Sequence, residues 1–135
     1  VAKDLGLRII PTGDAFWIIS KDPKWIYKKD ANFNFRKPNY PELPDQTNSL
    51  NVGYKWTEKK VFKLDANHAN EAGCYLGSLT WYSFLFNQSP LNLKFTPENV
   101  SVEFAAALRK AAWDSVRQVR ESERQTKNAG RSGKK

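Results

Sequence analysis

Apolar positions set the frame of this chain. Near its end, Phe104, Leu108, Ala112, Val116 and Val119 follow one another at steps of four and three, which predicts an amphipathic helix with Ser101 as its N-cap. Before it, Glu71 to Phe86 has helical length and is apolar nearly all round, with Ala72, Tyr75, Leu76, Leu79, Trp81, Tyr82, Phe84, Leu85 and Phe86. That pattern predicts a helix buried on most sides and stopped by Pro90, with a linker containing Pro97 after it. At the start, Val1-Ala-Lys-Asp-Leu-Gly6 reads as the last turn of a helix closed by glycine, and Leu7-Arg-Ile-Ile10 as a short buried strand ending at Pro11. The stretch from Pro11 to Ile19 predicts a short helix carrying Phe16, Trp17 and Ile18, with Asp14 as its cap and Asp22-Pro23 as its end.

From Lys24 to Lys60 the periodicity is lost. Pro38, Pro41 and Pro44 lie there among many Asn and Asp residues, as in a long loop or insertion. Trp25, Tyr27, Phe33, Phe35, Tyr40, Tyr54 and Trp56 fall in it too, and so dense an aromatic set predicts an ordered segment. Lys60-Val-Phe-Lys-Leu64 is a short strand candidate leading straight into Asp65. Strand, helix, strand, buried helix and helix together predict an α/β layer protein, of which 135 residues hold only part of the sheet.

Composition changes this picture little. The chain is 40% hydrophobic and 27% charged, within the range of globular domains, and no apolar run reaches the 18 or so residues of a membrane span. A net charge of +8 raises nucleic acid as a partner, yet the excess is local. From Arg109 onward nine Lys/Arg face three Asp/Glu, a net +6, which leaves +2 for the first 108 residues. The basic surplus belongs to the end of the last helix and to a tail, residues 125–135, too poor in apolar groups to fold alone. Nucleic acid is therefore not the expected partner. The single cysteine, Cys74, excludes an internal disulfide and reads as a small core residue. With one histidine and one cysteine the chain has no metal-ligand set, and no cofactor is expected. It starts at Val1 and holds no methionine, which reads as a piece of a longer protein.

Candidate chemistry centres on that one histidine. His68 lies in Lys63-Leu-Asp-Ala-Asn-His-Ala-Asn-Glu-Ala-Gly-Cys-Tyr-Leu-Gly77, with Asp65 three residues before it at the end of the expected strand. A carboxylate on so short a tether can hold the imidazole Nδ1, fix the tautomer, stabilise the imidazolium and leave Nε2 to take a proton from a hydroxyl. The spacing alone is common, arising by chance at about one in twenty on ordinary composition. Asp65 is also suited to capping the helix that follows.

Context makes the motif more specific. The stretch resembles the last conserved block of SGNH (GDSL) serine hydrolases, in which Asp-x-x-His precedes a helix entered through a small residue and glycine. Asp65, His68, Glu71, Ala72, Gly73 and Leu76 match that block, while Ala69 stands where proline is usual. Ile9-Ile10-Pro11 and Phe86-Asn87-Gln88-Ser89-Pro90 resemble its flanks more loosely.

The resemblance implies a flavodoxin-like three-layer α/β/α fold of which residues 1–124 are the C-terminal portion, with 24–60 an insertion. It implies a serine esterase whose orienting acid is Asp65 and whose base is His68, and whose nucleophile and oxyanion donors lie in an N-terminal part of the same hydrolase. Ser20 and Ser49 are the only serines before Asp65, and neither stands in a Gly-Asp-Ser context. The chain alone is thus expected to be inactive, with that N-terminal part and an ester substrate, a carbohydrate ester among the candidates, as its partners. Trp25, Tyr40, Tyr54 and Trp56 are candidate substrate-binding rings beside His68, with a satellite core under the loop as the plainer role. The reading from another class is a non-catalytic basic interaction module in which the Asp65–His68 turn is only a helix cap.

Overall fold

A computed structural model describes residue 2 and residues 4–132. It is mixed α/β: helix α1 (Thr12–Lys21), strand β1 (Asn51–Trp56), strand β2 (Phe62–Ala69), helix α2 (Glu71–Phe86) and helix α3 (Val102–Ser132). The core is a three-helix seam. Ala15 and Ile19 of α1, Ala72, Tyr75, Leu76 and Leu79 of α2, and Phe104, Ala105, Leu108, Ala111 and Ala112 of α3 bury one another. Alanines at 105, 111 and 112 let α3 approach its neighbours closely, and Leu76 and Leu108 fill the space that remains. Buried Arg109 donates to the Tyr75 hydroxyl (3.0 Å) and the Phe95 carbonyl (3.3 Å), tying α3 to α2 and to the linker between them.

Both long helices start where their residues predict. The Ser101 Oγ accepts from the N–H of Phe104 at 3.1 Å, the geometry of an N-cap. At α2, Asn70 is the cap, its side chain accepting from the Gly73 N–H at 3.0 Å. α2 closes on Asn87 in the left-handed region (φ 55°), a conformation asparagine tolerates. At the amino end, Gly6 (φ 66°) and a bond from the Leu7 N–H to the Ala2 carbonyl (2.8 Å) close a turn, with no helix among the described residues there. α1 starts after Pro11 with no side-chain cap, so Asp14 is a first-turn residue and not the expected cap.

Several expectations are corrected. Leu7–Ile10 is not a strand, because among the described residues no neighbouring strand pairs with it to supply the ladder that defines one. Leu7 and Ile9 are exposed, while Arg8 between them turns the other way, onto the Phe84 ring and the Glu123 carboxylate. The 24–60 segment contains β1, whose Val52, Tyr54 and Trp56 alternate as a strand should. β2 runs on through Asp65 and His68 instead of stopping before them. α2 buries only one side, and Trp81, Leu85 and Phe86 are exposed on the rest of it. Cys74 is exposed, not core. α3 continues as helix through Gln125 to Ser132, where composition reads as an unfolded tail; helix propagation from an anchored stem costs little for residues such as Gln, Arg, Lys and Ala. Residues 133–135 lie outside those described.

β1 and β2 form an antiparallel two-stranded ribbon. Tyr54 pairs with Leu64 and Trp56 with Phe62, so these four share one face. Phe33, Phe35 and Tyr40 from the loop close over that face, with Phe33 stacked on Phe62 at 5.6 Å and Tyr40 edge-on to Trp56 at 5.5 Å. A two-stranded ribbon is marginal alone, and this ring cluster is what gives it a core.

The ribbon is joined to the helices at one close approach. The Asn70 N–H bonds to the Leu50 carbonyl (3.0 Å), and the backbone of Gly73 lies against that same oxygen, where a Cβ would overlap it. Gly73→Ala is therefore expected to destabilise the chain by about 1–3 kcal/mol through overpacking. Gly77→Ala, one turn on, meets nothing nearer than Thr12 Cγ2 at 3.9 Å and should gain about 0.5–1 kcal/mol of helix propensity. Chemical denaturation of the two variants checks the pair, and equal responses would contradict the packing described.

Candidate active site

In a regular strand, residues three apart point to opposite faces and lie about 10 Å from each other, so Asp65 and His68 could not meet. β2 is not regular there. Gly53 pairs with Asp65 and Asn51 with Ala69, so two steps along β1 are matched by four along β2. The surplus residues bulge from the ladder and bring the carboxylate under the imidazole. Asp65 Oδ1 lies 2.9 Å from His68 Nδ1 and also accepts from the His68 backbone N–H at 3.2 Å. One oxygen thereby fixes both the ring and the bulge that carries it.

The other carboxylate oxygen is held from across the ribbon. Lys55 of β1 donates to Asp65 Oδ2 at 2.9 Å. Lys55, Lys63 and Asp65 occupy the face opposite the ring cluster, by the same alternation that puts Tyr54, Trp56, Phe62 and Leu64 together. The Lys55 ammonium first, and the His68 bonds after it, hold the Asp65 carboxyl well below the usual carboxylate range. Asp65 is thus an anion at neutral pH.

The His68 ring stands in the open: its side chain is 79% exposed, against 16% for Asp65. With Nδ1 engaged by the carboxylate, Nε2 has no hydrogen-bond partner among the described residues and is directed away from the acid. A proton accepted at Nε2 produces an imidazolium that Asp65 already faces, which is the electrostatic requirement for a general base with an orienting acid. The cap of α2 is Asn70, so Asp65 is not used as a helix cap.

The aromatic candidates separate into two places. Trp25 stacks on Phe104 at 5.4 Å and packs against the helical core. Tyr40, Tyr54 and Trp56 belong to the ring cluster on the far face of the ribbon from Asp65, Trp56 donating its Nε1 hydrogen to the Glu42 carbonyl (2.8 Å). The structure brings Asp65 and His68 together, and does not bring these four rings to them. Sequence reasoning missed Lys55. Its signal lay in the alternation of Val52, Tyr54 and Trp56, which makes Lys55 an outward residue of a strand paired with the one leading into Asp65.

Neither serine upstream of the pair is poised as a nucleophile. Ser20 Oγ donates to the Trp17 carbonyl within α1 (2.9 Å), and Ser49 Oγ donates to the Asn51 carbonyl (2.8 Å). Among the described residues no group of three or more His, Cys, Asp and Glu could hold a metal, and no helix is long and apolar enough to cross a membrane. No protein-family model, curated protein or solved structure matches this chain.

The lowered Asp65 pKa makes the stability pH-dependent in one direction. A carboxyl whose folded pKa lies below its unfolded value adds stability above the unfolded value and loses it as pH falls toward the folded one. Asp65→Asn should therefore lower the denaturation midpoint at pH 7, and the gap to the parent should narrow below about pH 4, where the unfolded carboxyl takes up its proton. Midpoints measured from pH 7 down to pH 2 test this; a gap that stays constant over that range contradicts it.

Proposed function

We propose that this chain is the acid–base portion of an SGNH-type serine ester hydrolase, its nucleophile and oxyanion donors supplied by an N-terminal part of the same protein. The observation carrying this reading is the 2.9 Å contact between Asp65 Oδ1 and His68 Nδ1, with Nε2 left open at the surface. The matches at Glu71, Ala72, Gly73 and Leu76 support it, and Gly73 has a stated reason to be glycine.

In the proposed reaction, His68 Nε2 takes the proton from a serine Oγ as that oxygen attacks the ester carbonyl. The imidazolium, faced by ionised Asp65, then gives its proton to the departing alcohol, leaving an acyl-enzyme. Water repeats the sequence, with His68 again taking and returning the proton, and releases the acid. No metal is needed at any step.

The one-sided burial of the helices also supports a larger fold. Trp81 is 53%, Leu85 60% and Phe86 66% exposed on α2, and Leu7 and Ile9 are exposed before α1. Surfaces of this kind suit a further layer and a neighbouring strand, the parts a three-layer α/β/α hydrolase has beyond these residues.

The test is ester hydrolysis. The chain alone should not turn over p-nitrophenyl acetate by a serine mechanism, and changing Ser20 or Ser49 should alter nothing. The protein bearing the N-terminal part should be active and labelled by a serine-directed fluorophosphonate. There His68→Ala should cost at least about a thousandfold in kcat, and Asp65→Asn about a thousand- to ten-thousandfold. Activity surviving His68→Ala would falsify the reading.

A further inference from the structure

We propose that Lys55 is a positioning residue of this acid–base pair, gripping the outer oxygen of Asp65 so that the inner oxygen is committed to His68 Nδ1. The proposal rests on the hydrolase reading for its purpose, though not for its geometry. A carboxylate beside an exposed imidazole has two equivalent oxygens and a free torsion, and could serve the ring with either. Here the oxygens have different partners. Oδ2 receives the Lys55 ammonium at 2.9 Å, and Oδ1 receives the His68 ring and backbone N–H. With both ends held, the carboxylate cannot turn without breaking a charged bond, and the ring tautomer with hydrogen on Nδ1 is selected.

Lys55 can do this because of the register. It pairs with Lys63, which places it diagonally opposite Asp65 on the same face, within reach of a long side chain. Its backbone lies between Tyr54 and Trp56, whose rings are locked on the other face, so the ammonium is delivered from an anchored strand. Among the described residues Lys63 shares that face, Tyr27 and Lys29 line the pocket beside Gly53 and Ala66, and Glu71 and Cys74 follow in the first turn of α2. Glu71 is engaged by Asn99 Nδ2 at 2.8 Å, and Cys74 Sγ lies 3.8 Å from the Ala69 carbonyl. All of these stay constant when Lys55 alone is changed.

His68 is the chain's only histidine, so its ring signals are unambiguous in NMR of the full chain. Lys55→Met should shift the ring nitrogen signals from the Nδ1–H tautomer toward a mixture. Lys55→Arg should restore the tautomer, and in an Asp65→Asn background Lys55→Met should have little further effect, since the lysine acts through the carboxylate. Lys55→Gln serves the same purpose if the methionine variant does not fold.

A ring tautomer unchanged by removing the ammonium would overturn the proposal. So would an equal shift in the Asp65→Asn background, since the charge would then be acting on the ring directly. Either result leaves the hydrolase reading standing. Activity surviving His68→Ala in the complete protein, by contrast, removes that reading and leaves the Lys55 coupling intact.

Discussion

The local structure around the candidate site depends on one irregularity, the bulge in β2 that lets a carboxylate meet an imidazole three residues away. A flat strand forbids the contact and a helix cap would have used the carboxylate elsewhere. What holds the bulge is the carboxylate itself, bonded through Oδ1 to both the backbone and the ring of His68. One carboxylate oxygen therefore serves both the ring and the backbone of His68 at this point. Lys55 completes it from the neighbouring strand.

That ribbon would have little stability of its own. Its ring cluster supplies a small core on one face, and the junction at Leu50 fastens it to the helices. A single carbonyl oxygen receives the Asn70 N–H and has the backbone of Gly73 laid against it. Asn70 meanwhile caps α2 and donates to the Ser49 carbonyl at 2.7 Å. Two adjacent requirements, an amide side chain and a missing Cβ, thus set the distance from His68 to the start of α2. The glycine in the block that resembles SGNH hydrolases has in this chain a steric reason.

The helical layer is finished on one side only. Between α1, α2 and α3 the residues are buried and small where helices come close; away from that seam large apolar groups stand in solvent. A monomeric domain seldom spends tryptophan and phenylalanine that way.

The sequence by itself determined the helices. The steps of four and three from Phe104 to Val116, the Ser101 cap and the stop after Phe86 are local or periodic signals, and a helix satisfies its hydrogen bonds within its own segment. It also determined that Asp65 and His68 were the pair to watch. Strands depend on partners elsewhere in the chain. Leu7–Ile10 has strand composition and no strand partner among the described residues, while Asn51–Trp56, interrupted by Gly53 and preceded by prolines, has one in Phe62–Ala69. Only the tertiary structure decided that pairing, and with it the bulge, the role of Lys55, and the removal of Tyr54 and Trp56 to the far face. A register is a relation between two segments, and no property of either one alone contains it.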